Sequence, residues 1–315
     1  MTVRWGFIGA GYVASKAMAP AVHATPNASL YAVATRNQDR SATLEPEVVH
    51  RSYQDLINDP LVDAVYISLT NAQHKEWVLA ALNAGKHVLC EKPLAMNASE
   101  VGTMLDAATR NKCLLIEAVW TRWQPRMQRM AQIVKSGELG EVTGISSAFT
   151  FQGDLTDNYR LDPSLGGGAL LDVGVYQAHL WLMLLNEDVS FSIESVERTM
   201  GATGVDLTTR ALLQVNKSVA AQLLASFDLP PQQRIEVTGT TAAMRTGEGE
   251  AFTLWKQPST LLIGETVEHF EADDAFALMV KDVSAAIETE DVALFPSASS
   301  LRAAEITDAI ARFNN

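Results

Sequence analysis

Along the first third of the chain, short apolar runs alternate with stretches of helical periodicity. Val3 to Ile8 is apolar and β-rich. Gly9-Ala10-Gly11 then turns the chain into a helical stretch from about Tyr12 to Ala24, which Pro20 is expected to kink or shorten. Further strands are predicted over Leu30 to Thr35, His50 to Ser52, Ala64 to Leu69, His87 to Cys90 and Cys113 to Glu117. Between them a helix over Lys75 to Ala84 stops at Gly85, and Asn97 with Glu100 has the spacing of a capping box that opens another helix. Strands alternating with helices predict an α/β fold for residues 1–120: a doubly wound parallel sheet covered on both faces, of the Rossmann type.

After Trp120 the pattern changes. A helix over Arg126 to Lys135 precedes an alternating strand, Val142 to Phe151. The glycine run Gly166 to Gly168 then leads into an apolar helix carrying Asp172. From about Phe191 to Phe270 short strand-like runs dominate, broken at Asp228 to Pro231 and Gly247 to Gly249, which predicts a mainly antiparallel sheet. Helices near Ala275 to Glu288 and Ser297 to Phe313 finish the chain. Residues 121–315 are therefore expected to form a second, α+β domain.

Composition narrows the classes. With 47% hydrophobic residues among 315, the chain has enough apolar side chain for real cores, and a formal charge of -13 argues against a nucleic-acid partner. The apolar helix LLDVGVYQAHLWLMLL holds Asp172 and His179 and is too short and polar to cross a membrane, so a buried helix is expected. Cys90 and Cys113 lie in apolar strands without nearby histidine pairs, so buried free thiols, no metal site and a reducing compartment are expected. The N-terminus runs directly into a strand without a charged leader, and a cytoplasmic location is expected.

Chemistry enters at the first turn. Gly9-x-Gly11-x-x-Ala14 follows a strand and opens a helix, the setting of a dinucleotide-binding turn. The first glycine permits the turn, the second admits a pyrophosphate, and the small third residue lets helix and strand pack closely. Tyr12 and Val13 lie inside that turn. At the end of the second strand an acid would select NAD; Thr35-Arg36-Asn37, with Arg40 a turn further on, instead suits the 2′-phosphate of NADP, with NAD as the alternative. Glu91-Lys92-Pro93 sits just after a strand of the same sheet, at the edge where such folds bind ligands. Asp172 and Tyr176 stand four apart on one helix and share a face; a buried aspartate there needs a partner.

These segments together resemble the glucose-fructose oxidoreductase/inositol dehydrogenase (Gfo/Idh/MocA) family over nearly the whole chain: GAGYVA, TNAQH, EKPLA and GGGALLDVGVY, in that order. The stretch EAVWTR is most like the dimeric dihydrodiol dehydrogenases and NADP-dependent D-xylose dehydrogenases of that family. The resemblance implies that Leu69, Asn71 and His74 line the adenosine and ribose side of the cofactor. It places Glu91 near the nicotinamide ribose, makes Lys92 the active-site lysine with a Lys92-Pro93 bond that is often cis, and makes Asp172 a substrate-side acid. Trp120 and Arg122 match a loop near the nicotinamide. Tyr176 stands where inositol dehydrogenases carry histidine, which points away from inositol.

The implied activity is hydride transfer between NADP and a sugar, dihydrodiol or polyol, without a metal. Tyr176 would move the proton, and the Lys92 ammonium would lower its pKa from the ordinary value of about 10. His179 is an alternative base, but a packed core histidine is the simpler expectation. A ketoreductase for a nucleotide-linked sugar is a second reading, left open by Arg126, Arg129 and Arg160. A cofactor-bound regulatory protein is a third. The resemblance also implies a sheet that is open-faced on one side for self-association, and so a homodimer or homotetramer.

Overall fold

The computed structural model describes residues 2–186, 188–289 and 297–314. The chain forms two compact units, Met1–Trp120 with Phe276–Ser300, and Thr121–Ala275 with Leu301–Asn315.

The first unit is built on six parallel strands, β1 (Val3–Ile8), β2 (Ala28–Ala34), β3 (Val48–His50), β4 (Ala64–Ile67), β5 (His87–Cys90) and β6 (Leu115–Glu117). Their spatial order is β3-β2-β1-β4-β5-β6, the doubly wound order that reverses between β1 and β4 and opens a ligand crevice there. All four residues of β4 are buried, as expected of a strand covered on both faces. Helices α1 (a π-turn over Ala14–Met18 running into Ala19–Ala24), α2 (Gln38–Ala42), α3 (Tyr53–Asn58), α4 (Asn71–Asn83) and α5 (Ala98–Asn111) fill the crossovers.

Pro20 does not break α1. The Ala19 N–H donates to the Ala14 carbonyl five residues back, and this wider turn puts Pro20 in the first turn of the α-helical part, where a missing N–H is harmless. The capping box at α5 is also modified. Asn97 Oδ1 accepts from the Glu100 N–H at 3.0 Å, but Glu100 reaches back to the Met96 N–H rather than to that of Asn97.

In the second unit, α6 (Pro125–Ser136), β7 (Val142–Thr150) and α7 (a π-turn over Leu170–Gly174 running into Val175–Leu185) precede the strands β8 (Phe191–Met200), β9 (Asp206–Val215), β10 (Val219–Ser226), β11 (Gln232–Gly239), β12 (Ala243–Thr246), β13 (Ser259–Ile263) and β14 (Thr266–Phe270). The eight-stranded sheet has the order β14-β13-β12-β11-β7-β10-β9-β8, antiparallel except for the β7–β10 pair. Alternate residues of β7 face α7: Ser147 Oγ donates to Gln177 Oε1 at 2.9 Å, and Gln177 also bonds the backbone of Leu224. On the opposite face Glu197 lies across from Arg210, and Glu236 across from Arg245, so polar cross-strand pairs occupy the side that α7 does not cover. The stretch containing α7 is apolar enough to cross a membrane by length and composition alone, but 78% of its most apolar window is buried inside the fold.

The described residues 276–289 and 297–300 group with the first unit. Helix α8 (Ala275–Thr289) gives Ser284 to the Trp5 indole, whose Nε1–H donates to Ser284 Oγ at 3.2 Å, and Phe276 stacks on Trp120 with ring centroids 5.6 Å apart. A final helix, α9 (Ser297–Arg312), caps the chain.

Candidate active site

The turn after β1 is sterically defined. Gly9 has φ of +98°, and a Cβ there would run into the Ser68 carbonyl oxygen. Its N–H donates to the Ala34 carbonyl, and the Ser68 N–H donates to that of Ile8, so the β1, β2 and β4 ends are tied together. Gly11 differs. A Cβ on it would meet only Ser68 Oγ, at an ordinary 3.5 Å, so nothing in the fold demands glycine there. The open space beside Gly11, just before α1, fits the close approach of a pyrophosphate. Ala14 is fully buried, as close helix–strand packing requires, Val13 is half-buried, and Tyr12 is 72% exposed.

The loop after β2 is pinned by Thr35. Its Oγ1 donates to the Asn37 carbonyl and accepts from the Asn37 N–H at 3.0 Å and from Ser41 Oγ at 3.2 Å. Asn37 caps α2 through the amides of Asp39 and Arg40. The arrangement fixes the backbone while leaving Arg36 and Arg40 exposed, as a phosphate-reading pair must be.

At the carboxyl ends of β4 to β6 lies a buried polar cluster. The Tyr66 hydroxyl donates to Glu91 Oε1 at 2.7 Å, and the Lys92 N–H reaches Glu91 Oε2 at 3.3 Å. Burial pushes the Glu91 carboxyl up, against the pull of the Tyr66 hydroxyl and the Lys92 ammonium. Burial and then the Glu91 charge raise the Tyr66 phenol well above its usual value, which makes it a fixed donor. The Lys92-Pro93 bond is cis. Past it, the Leu94 N–H donates to Glu117 Oε1 at 3.0 Å, joining this turn to β6.

His74 is a buried side chain set between two turns. Its ring has no exposed surface, and its nitrogens face the carbonyls of Pro93 at 2.8 Å and Leu69 at 3.2 Å. Burial lowers its pKa against the pull of these two carbonyls. The ring lies between the β4–α4 turn and the turn bearing Lys92. Asn71 is likewise buried at the start of α4, while Leu69 is half-buried. Trp120 is 5% exposed and stacked on Phe276. Arg122 follows in the 3₁₀ turn Trp120–Trp123 and is half-buried.

In the second unit Asp172 finds the partner that its burial requires. Arg160 Nε donates to Asp172 Oδ2 at 2.6 Å, and Nη2 lies 3.5 Å from Oδ1. The glycine run explains how the two meet: a Cβ on Gly167 would collide with the Arg160 carbonyl, and the Gly168 N–H donates to that same carbonyl at 2.9 Å. Asp206 then holds the opening of α7, accepting from the Leu170 N–H at 2.9 Å, while Gly168, at φ of +119°, has no room for a Cβ beside Asp206 Oδ1. Burial opposes the Arg160 charge, yet the Asp172 carboxylate outweighs it and the guanidinium pKa is raised; Tyr176 also lies within its field.

Tyr176, 8% exposed, starts the α-helical part of α7 just beyond the π-turn holding Asp172, and such turns often mark functional sites. Its ring tilts against Phe149 and Phe252, at centroid distances of 5.9 and 6.1 Å, and those two rings stack on each other at 5.4 Å. His179, the alternative base, is buried at 2% exposure. The arginines that left a diphosphate site open are all committed to carboxylates: Arg126 to Glu250, Arg129 to Glu138 and Glu268, and Arg160 to Asp172. Arg160, Asp206, Phe149 and Phe252 carried no motif of their own. Only the need of Asp172 for a cation could have pointed to Arg160.

Comparison with known proteins agrees with this geometry. Residues 3–119 match the model of the GFO/IDH/MocA oxidoreductase family with its NAD-binding Rossmann fold, and residues 127–245 match the GFO/IDH/MocA C-terminal domain. A D-xylose 1-dehydrogenase (NADP(+)) of Haloferax volcanii is 31% identical, covering 97% of this chain and 95% of its own. A trans-1,2-dihydrobenzene-1,2-diol dehydrogenase of Mus musculus is 32% identical over 85% and 80%. The crystal structure of the 3-ketoreductase KijD10 from Actinomadura kijaniata, in complex with NADP and TDP-benzene, superposes with a TM-score of 0.89 at 28% identity, covering 99% of this chain and 97% of that one. The chain belongs to the GFO/IDH/MocA family of oxidoreductases and carries its dinucleotide-binding Rossmann domain.

Proposed function

We propose that the chain is an NADP-preferring dehydrogenase or reductase acting on a hydroxyl-bearing carbon, or its carbonyl, in a sugar, dihydrodiol or related polyol. The observation that carries this reading is a phenol, Tyr176, set at the start of α7 within the field of the Arg160–Asp172 pair. The bound dinucleotide would accept or supply the hydride. In oxidation the Tyr176 phenolate takes the hydroxyl proton from the substrate; in reduction the phenol returns it to the oxygen that gains charge. Lys92 is the proposed second cation, lowering the phenol from its ordinary pKa of about 10 and holding the substrate oxygen or the ribose. Asp172, almost without open surface, fixes Arg160 rather than the substrate. Gly9, Gly11 and Ala14 shape the pyrophosphate turn, Leu69 and Glu91 border the cofactor, and Arg36 with Arg40 take the 2′-phosphate.

A small neutral substrate is supported by two named relatives, a D-xylose dehydrogenase and a dihydrodiol dehydrogenase, and by the commitment of Arg126, Arg129 and Arg160 to carboxylates. The likeness to KijD10, solved with TDP-benzene, supports a nucleotide-linked sugar as the second reading. We further propose a cytoplasmic homodimer or homotetramer, assembled through the sheet face that carries Glu197, Arg210, Glu236 and Arg245. The test is a panel of free aldoses, dihydrodiols and nucleotide-linked keto sugars, with NADPH and NADH followed at the nicotinamide absorbance. Turnover of a free polyol with NADP is expected. Tight NADPH binding with no turnover of any substrate would favour a regulatory protein and overturn the reading.

A further inference from the structure

Arg126 has no exposed surface, and the proton-transfer scheme makes no use of it. Burial pulls its guanidinium down to about 10, against the Glu250 carboxylate that favours the charge. Its bonds are aimed unusually. Nη2 donates to the backbone carbonyls of Glu250 at 2.7 Å and Ala251 at 3.1 Å, and to Gln124 Oε1 at 3.2 Å. The ion pair itself is looser, at 3.4 Å to Glu250 Oε2, an oxygen already taken by the N–H and hydroxyl of Thr260. A guanidinium buried this way acts chiefly as a clamp on backbone.

The clamped segment, between β12 and β13, lies outside the sheet ladder, so its conformation depends on side chains. Gln124 Nε2 donates to the Leu254 carbonyl at 2.7 Å, and the Phe252 N–H donates to Gln233 Oε1 at 2.8 Å. The residue at the centre is Phe252, whose ring lies nearly parallel to that of Phe149, at an interplanar angle of 3°, and borders Tyr176. We propose that Arg126 is a positioning residue for the reaction: by clamping the carbonyls of Glu250 and Ala251 it fixes the Phe252 ring as a wall that holds the substrate against Tyr176. This rests on Tyr176 being the proton-transfer group.

Two readouts separate the inference from that reading and from simple stabilisation. The first is the line of 4-fluorophenylalanine placed at position 252, which reports ring position without turnover. In Arg126→Met it should move or split, whereas in Arg126→Lys, which keeps a donor, it should move less. The second is steady-state kinetics with NADP and whichever of D-xylose or trans-1,2-dihydrobenzene-1,2-diol the native enzyme oxidises faster. Arg126→Met should raise the substrate KM about tenfold, with kcat within about threefold and the NADP KM unchanged, the pattern of lost binding rather than lost chemistry. In a Phe252→Ala background the same substitution should change KM less than about twofold, because the two act as one unit. If Arg126→Met does not fold, Arg126→Lys carries both readouts. An unmoved fluorine line, or KM effects that simply multiply, would overturn the proposal. If Tyr176→Phe keeps full turnover while the fluorine line still moves, the clamp stands and the catalytic reading falls.

Discussion

Gly9→Ala and Gly11→Ala should have opposite effects on stability and the same effect on cofactor binding. At Gly9 the added Cβ meets both a positive φ of +98° and the Ser68 carbonyl oxygen. The left-handed backbone alone costs about 1–2 kcal/mol for a residue with a side chain. Because the carbonyl belongs to the turn that also holds Leu69, relief requires moving backbone, and a total of about 2–4 kcal/mol is expected, in the range of severe backbone effects. At Gly11 the new methyl group meets only Ser68 Oγ at 3.5 Å. The fold should tolerate it and even gain about 0.4–1 kcal/mol from a stiffer unfolded chain. The Gly11 methyl would enter the proposed approach to the phosphates and the Gly9 methyl would displace the turn that shapes it, so each should weaken NADPH binding at least tenfold, about 1.4 kcal/mol. Thermal unfolding without cofactor and a titration of NADPH fluorescence measure the two quantities. If Gly11→Ala binds NADPH as the native protein does, the space beside Gly11 is not the pyrophosphate site.

Removing the cation from Asp172 by Arg160→Met should cost about 2–4 kcal/mol, at the lower end for a buried pair because Arg160 is itself 29% exposed. Adding Asp172→Leu should restore most of that stability but not turnover; a double variant less stable in urea than Arg160→Met would contradict the pairing. Replacing Arg36 and Arg40 with alanine should raise the KM for NADP at least about tenfold and leave that for NAD nearly unchanged, since only NADP has the 2′-phosphate; equal changes would refute that role. Burial alone would raise the Asp63 carboxyl, but Arg4, bonded to it at 2.8 Å, holds it below its ordinary value. A depressed carboxylate contributes stability above its unfolded pKa of about 3.9 and loses it as pH falls through the lower folded value. Asp63→Asn should therefore be less stable than the native protein at neutral pH, with the gap closing in acid; a gap independent of pH in urea unfolding would refute this.

Periodicity alone was enough to read the parallel sheet, because each buried strand is a compact apolar run bounded by glycine or polar residues. Boundaries failed where polar residues begin a helix. The TNAQH segment hides the start of α4, which opens at Asn71, four residues before the periodic pattern suggests. The place of α8 was not legible, since its partners Trp5 and Trp120 lie more than a hundred residues away in sequence. In the candidate site, segments set by local chemistry stand out in the sequence: the glycine turn, Lys92 beside its proline, and the Asp172–Tyr176 spacing. Residues recruited by tertiary packing do not. Arg160 reaches Asp172 only because Gly167 and Gly168 let two backbones touch. The hydrogen bonds of His74 and the stacking of Trp120 on Phe276 likewise join segments that no local pattern links.

Tyr176 is the proposed proton carrier, with Lys92 the proposed cation that tunes it. The most direct test of this proposal is the pH dependence of kcat/KM for alcohol oxidation in the native enzyme, Lys92→Met and Tyr176→Phe. A limb that rises with pH as the phenol ionises is expected, moved to higher pH in Lys92→Met, with a loss of about 10²–10⁴ and no limb in Tyr176→Phe. A Tyr176→Phe enzyme that keeps native turnover and the same limb would contradict it.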